Sequence, residues 1–348
     1  MTAEKPEYYA QPVPGVLSVS ANVRVIPSYP LVRQLNPMDK TGEPVPCPVK
    51  LNYIVSPQAR SAGKIHGKSF EAVSNTALRL ETPVGPFSRL SLLLDWNAAN
   101  PVLTVNKAFH RLAKVTIGNV HSVGWLVRDL SNLALLANNY ALLHTAAFKH
   151  KNKVILIFGL SNTGKTTTVF SQVKDHGAEF YGDDLVVTDG SKLYACPFTG
   201  ANINPQDGPG LKYKIEQTLR RGLPFFENFA GTLSYSISDA LGADNIAAPA
   251  AVTDIIIMRK AEQAKSEVIE AEHAAQLMLA SNRTEFTFAS SPLFSAAEYF
   301  ETGLNTDAVM KNESVLLQQL AEQAVCHYAC GDVHDLGNLV REILANPD

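Results

Sequence analysis

Apolar and polar positions change rhythm along this chain near residue 120. Before that point short apolar runs stand between prolines. Pro6, Pro12, Pro14, Pro27, Pro30, Pro37, Pro44, Pro46, Pro48 and Pro57 punctuate the opening stretch. Proline removes a backbone donor and clashes inside helices, so long helices are not expected there. The runs at 16–26, 51–55, 88–94, 102–105 and 112–117 read as short strands. Beyond residue 123 the spacing becomes helical, with Leu126, Leu130, Leu133, Leu136 and Ala137 predicting an amphipathic helix over 125–140. Two apolar runs follow, 142–148 and 154–158, separated by Lys149-His150-Lys151-Asn152-Lys153, the pattern of a strand hairpin. Further strands are expected at 179–181, 185–188, 193–196 and 255–258. Helices are expected at 166–176, at 211–221, from 314 onward and near 336–344. There is no internal repeat. The expected class is α/β: a β-rich N-terminal region over 1–120 and a second domain over 121–348, built on a mixed sheet with flanking helices.

Composition narrows the possible partners. The 348 residues are 46% hydrophobic and 18% charged, as in globular proteins, with a formal net charge of −3. That balance argues against nucleic acid or an acidic membrane surface as the main partner. No stretch reaches the roughly 18 apolar residues of a membrane helix. The longest apolar region, 130–148, is broken by Asn132, Asn138, Asn139 and His144. The opening residues lack a basic start followed by an apolar run, so no secretory leader is expected. Cys47, Cys196, Cys326 and Cys330 are too few and too scattered for a disulfide scaffold, and a reduced cytoplasmic protein is the simplest expectation. Cys326 and Cys330, with His327 and His334 nearby, have no second pair at zinc-ligand spacing and read better as thiols on a buried strand.

One motif carries chemistry outright. Residues 159–166 read Gly-Leu-Ser-Asn-Thr-Gly-Lys-Thr, matching G-x-x-x-x-G-K-[ST]. Chance yields such a match in about one per cent of chains this long at average composition. A strand-like run precedes it and a helix-compatible run follows. Glycines let the backbone N–H groups of such a loop turn inward around phosphate oxygens, and the following helix adds its positive end. Gly159, Ser161, Asn162, Thr163, Gly164, Lys165, Thr166 and Thr167 are therefore the expected nucleotide-binding residues. Lys165 would reach the β- and γ-phosphates of ATP, and the Thr166 hydroxyl would ligate Mg²⁺.

Asp183 and Asp184 follow Lys165 by 18 residues or more. A helix of about eleven residues runs about 16 Å away from the phosphates. Gly177 is placed to end it, and a short strand returns to the starting edge. The two carboxylates then arrive beside the loop, one able to hold the metal and the other to accept a proton from an attacking hydroxyl. Gly-Asp-Asp also favours a turn, which is compatible with both roles. His144 on the preceding apolar run reads, by itself, as a core histidine.

The segment Phe158-Gly-Leu-Ser-Asn-Thr-Gly-Lys-Thr-Thr167 resembles the kinase-1 motif of ATP-dependent phosphoenolpyruvate carboxykinases, and Tyr181-Gly182-Asp183-Asp184 resembles their kinase-2 motif. The order His144, phosphate loop, double aspartate is similar to HPr kinase/phosphorylase, which phosphorylates a serine of the carrier protein HPr. The resemblance covers about residues 140–190. It implies the nucleotide-binding core these two groups share, with Lys165 on the phosphates, Thr166 and Asp184 at Mg²⁺, Asp183 as base and His144 close to that base. Three departures stand out. Asn162 replaces a usual glycine, the Glu-Ile-Arg-Gly signature of HPr kinases is missing, and the chain is much shorter than a carboxykinase, so recognition of the carrier and decarboxylation are not implied.

The expected function is an ATP- and Mg²⁺-dependent kinase acting on a hydroxyl of a protein, a peptide or a small metabolite. The alternatives are a nucleotide-binding regulator that transfers nothing and a carboxykinase-like lyase. Arg220, Arg221 and Arg259 are candidates to face the transferred group, and Asp207 and Glu216 to complete the metal shell, although each also reads as an ordinary surface residue. The sequence leaves self-association into a homo-oligomer open.

Overall fold

In a computed structural model of the protein, residues 5–27, 29, 31, 35–38, 46–61, 68–84, 88–112, 122–160, 163–197 and 245–345 are described. The fold is mixed α/β. The expected boundary at residue 120 and the expected helix over 211–221 lie outside the described residues. The chain packs into two compact units. The described residues of the first run to 138 and return at 287–309; those of the second are 139–197, 245–286 and 310–345. Among the described residues no helix is long and apolar enough to cross a membrane.

The first unit holds eight strands: β1 (Tyr8–Val13), β2 (Leu17–Ala21), β3 (Asn36–Pro37), β4 (Val49–Val55), β5 (Ser69–Ala72), β6 (Ala77–Val84), β7 (Ser88–Asp95) and β8 (Val102–Val105). They form one sheet in the order β3-β1-β2-β4-β8-β7-β6-β5, antiparallel except at β2–β4 and β4–β8. The N-terminal region is therefore β-rich as expected, although the run over 16–26 yields only β2. Leu112, expected to open a strand, instead ends helix α1 (Lys107–Leu112), and 113–117 lie outside the described residues. Helix α2 (Val123–Ala137) departs further from expectation, because it is buried nearly all round rather than amphipathic. Arg128 is 2% exposed. Its guanidinium stacks 3.7 Å from the Trp125 ring centroid and lies 3.3 Å from Asp129. Paired in this way, a charge can sit on an interior helix face where the sequence pattern shows only a polar position.

The second unit combines two sheets. Strands β9 (Ala141–His144), β10 (Ala146–His150), β11 (Lys153–Gly159), β12 (Glu179–Gly182), β13 (Leu185–Thr188), β14 (Lys192–Tyr194), β15 (Ala250–Ala251), β16 (Asp254–Lys260), β17 (Lys265–Val268) and β18 (Val325–Gly331) divide between them. A six-stranded mixed sheet runs β12-β10-β11-β16-β18-β17, and a four-stranded antiparallel sheet runs β15-β14-β13-β9. The hairpin expected across residues 149–153 is β10–β11. The run 142–148, read as one strand, breaks at Thr145 and enters both sheets. Thr145 Oγ1 donates to Ile157 O at 2.7 Å, which secures the break.

Helix α3 (Lys165–His176) follows β11 and packs across β10, β11 and β12. Gly177, at φ 66°, ends it in the left-handed conformation that glycine adopts at little cost, as the sequence predicts. Helix α4 (Ala271–Glu285) packs against β9, β11, β16 and β18. Helices α5 (Thr306–Glu322) and α6 (Val333–Ala345) flank β18 in sequence, and α6 touches both β18 and α3. The core of the sheet is the apolar centre of β11 and β16, where Ile155, Leu156, Ile157, Ile255 and Ile256 are fully buried.

Candidate functional site

β11, β16 and β18 are mutually parallel, and β12 runs the same way because both it and β11 pair antiparallel with β10. The carboxyl ends of these four strands therefore share one edge. β11 ends at Gly159, in register with Met258 of β16. A Cβ on Gly159 would sit 2.8 Å from Met258 O and 2.9 Å from Thr163 Oγ1, so only glycine lets the loop leave the sheet this close to its neighbour. Thr163 Oγ1 donates to Leu160 O at 2.9 Å and closes the loop on itself. Gly164 has φ 95° and caps α3, whose first turn carries no acidic side chain. The unsatisfied N–H groups of that turn thus face the loop without a competing carboxylate on the helix.

Lys165 is buried, and its Nζ donates to Gly159 O and, at 3.1 Å, to Leu160 O. Burial pushes this ammonium below the ordinary lysine range, while the carboxylates of Asp184 and Glu285 pull it back up. A cation held by the carbonyls of its own loop suits an anionic ligand, which would supply a charged partner in direct contact.

β12 ends at Gly182 and β13 begins at Leu185, so Asp183 and Asp184 form the crossing between the two sheets. A Cβ on Gly182 would collide with Leu185 O and lie 2.8 Å from Val186 Cγ2. Asp183 is buried, and its backbone carbonyl accepts from the Thr166 hydroxyl at 3.4 Å. Asp184 is partly exposed. Its carbonyl accepts from Thr145 N at 3.1 Å, and its Oδ1 lies 3.1 Å from His144 Nε2. His144 Nδ1 is buried with no hydrogen-bond partner among the described residues.

The structure brings His144, Lys165, Thr166, Asp183 and Asp184 to one edge, with Gly159, Thr163 and Gly164 shaping the loop and Thr167 exposed beside it. Ser161, Asn162, Asp207, Glu216, Arg220 and Arg221 lie outside the described residues. Arg259 sits at the exposed end of β16, one position past the partner of Gly159. Two residues escape the sequence reading, Glu285 and Asn282, both on α4. A buried stripe of Ala274, Ala275 and Met278 is the signal that marks this helix.

Among the described residues no group of three or more His, Cys, Asp or Glu side chains gathers as a metal cage. Mg²⁺ bound with a nucleotide needs no cage, since one or two carboxylates, a hydroxyl and phosphate oxygens suffice. The Thr166 hydroxyl, bonded to the Asp183 carbonyl one residue from the partly exposed Asp184, fits that donor set. Cys326 and Cys330 both lie on β18. Four residues along a strand separate them by about 13 Å, too far for one zinc ion.

Compared with models of known protein families and with curated proteins, the chain finds no match.

Proposed function

We propose that this chain is an ATP- and Mg²⁺-dependent phosphotransferase with an HPr kinase-like nucleotide-binding core, moving a γ-phosphoryl group to a hydroxyl. The observation that supports this most is the crossing at 182–185, which sets the Asp183 backbone carbonyl against the Thr166 hydroxyl and the Asp184 carboxylate against His144.

The loop N–H groups and the first turn of α3 would hold the phosphates. Lys165 would turn from the loop carbonyls to the β- and γ-oxygens, exchanging neutral acceptors for charged ones. Thr166 and Asp184 would hold Mg²⁺, which when bound neutralises charge on the phosphate oxygens. His144, whose Nε2 lies 3.1 Å from Asp184 Oδ1, would orient that carboxylate. Asp183 would take the proton of the attacking hydroxyl as the new O–P bond forms and ADP departs. A protein that only senses nucleotide needs the loop and Lys165 but not two carboxylates delivered together.

Asp183→Asn tests the reading because it preserves shape. Nucleotide affinity, measured by calorimetry, should stay within a few-fold, while phosphoryl transfer from labelled ATP falls by roughly 10²–10⁴, the usual contribution of a positioned base. Mass spectrometry of serine-bearing proteins, peptides and small alcohols after incubation with protein, ATP and Mg²⁺ identifies the acceptor. Tight ATP binding with no transfer to any hydroxyl would replace the kinase by a regulator.

A further inference from the structure

β9 is the edge strand of the four-stranded sheet, with its inner side laddered to β13 through the pair His144–Leu185. An edge strand must satisfy its outward backbone groups in some other way when it is buried, as β9 is throughout. Asn282 does this with its side chain. Its Oδ1 accepts from His144 N at 2.7 Å, and its Nδ2 donates to Leu142 O at 3.0 Å. The amide thus spans alternate residues of β9 as the N–H and C=O of one residue of a parallel neighbour would. Its orientation is fixed, because a backbone N–H can only donate and a carbonyl can only accept.

The second Nδ2 hydrogen goes to Glu313 Oε1 of α5 at 2.7 Å. Asn282 and Glu313 are 0% and 2% exposed. Asparagine is a poor helix former and costly to bury, so packing alone does not account for it in the interior of α4. Its amide makes three hydrogen bonds, using both N–H donors, and two of the three end on the strand that carries His144. Burial pushes the Glu313 carboxyl above its usual range, against the pull of Asn282 and Arg283.

We infer that Asn282, held by Glu313, is a positioning residue for the His144–Asp184 pair: its amide clamps the backbone of β9 at the residue whose ring lies against the Asp184 carboxylate. Among the described residues Asn282 makes no hydrogen bond to the phosphate loop or to Asp183 or Asp184, so it acts through His144. The inference rests on the kinase reading for its consequence in turnover, but the clamp itself can be read without turnover.

The test compares wild type, Glu313→Gln and the double variant Asn282→Leu/Glu313→Leu. The double variant removes Asn282 and Glu313 together, so the Glu313 carboxyl is not left buried and unpaired, while His144 N and Leu142 O lose their partner and some stability goes with it. Expected for it are an unchanged KM for ATP, a transfer kcat lower by about 10–100-fold as for other supporting partners of a site, and shifted or broadened NMR signals from the His144 amide and ring. Glu313→Gln keeps an acceptor oxygen and should retain wild-type kcat and His144 signals. Unchanged His144 signals in the double variant would overturn the clamp whatever the activity. Altered signals with wild-type kcat would overturn its role in positioning. If wild type transfers no phosphate, the kinase reading fails alone and the His144 signals still decide the clamp. Should the double variant not fold, Asn282→Asp is read the same way; it keeps the acceptor for His144 N and loses the donors to Leu142 O and Glu313.

Discussion

Gly182→Ala probes the crossing with one carbon atom. The added Cβ would lie 2.8 Å from Val186 Cγ2 and closer still to Leu185 O. Carbon atoms pack at about 3.5–4.0 Å, so the Val186 contact alone must open by about an ångström. Val186 cannot yield independently, because it is laddered to Leu143 of β9 one residue from His144. The overpacking should cost about 1–3 kcal/mol of stability, visible as a fall of several degrees in Tm. The larger effect should be on turnover. Asp183 and Asp184 lie inside the displaced segment, and a misplacement of about 1 Å typically costs about 10²-fold in rate. The loop and Lys165 lie outside that segment, so nucleotide affinity by calorimetry should change little. Wild-type turnover together with a wild-type Tm would refute the argument, since it would mean that the turn absorbs a side chain without moving its carboxylates. A matched loss of nucleotide affinity and turnover would show instead that the substitution disturbs the whole edge.

Lys165→Ala should weaken ATP binding at least tenfold by calorimetry, since a hydrogen bond to a charged group contributes about 1.5–3 kcal/mol. Thr166→Val, at nearly the same volume, should raise the Mg²⁺ concentration needed for half-maximal turnover, and an unchanged titration would remove the hydroxyl from the metal site. At the opposite end of the strands, burial raises the Asp254 carboxyl, but hydrogen bonds from His327 and Thr253 and the charge of Lys153 outweigh it and hold the group below its ordinary 3.8. Its contribution to stability is present above that value and lost as pH falls through the lowered one, so Asp254→Asn should lower Tm at neutral pH and flatten the acid limb of a Tm–pH profile below about pH 3.8.

What the sequence revealed of the site was local. The loop, the stop at Gly177 and the return to Asp183 depend on residues within one strand–helix–strand unit, where spacing fixes geometry. The break at Thr145 was hidden because 142–148 is uniformly apolar, and both resulting strands are buried. Asn282 lies 138 residues from His144, and Glu313 another 31 beyond, so no periodicity links them. Glu285 comes within electrostatic reach of Lys165 only after α4 packs across β11. Polar positions in α2 looked like a solvent face because a sequence pattern cannot show that Arg128 finds Trp125 and Asp129. The parallel pairings β2–β4 and β4–β8 join segments far apart in sequence, and alternation alone does not order such strands.

The chain changes sheets twice at one place, at Thr145 and again at Asp183–Asp184. The consequence is entropic. Fixing the backbone of a free loop residue costs about 1–2 kcal/mol, a cost that a carboxylate on such a loop meets each time it closes on a ligand. Here ladder hydrogen bonds to two different sheets bracket both aspartates, and Thr145 N ties Asp184 between them. The freedom is surrendered once, when the chain folds, and the carboxylates stand in place before any ligand arrives.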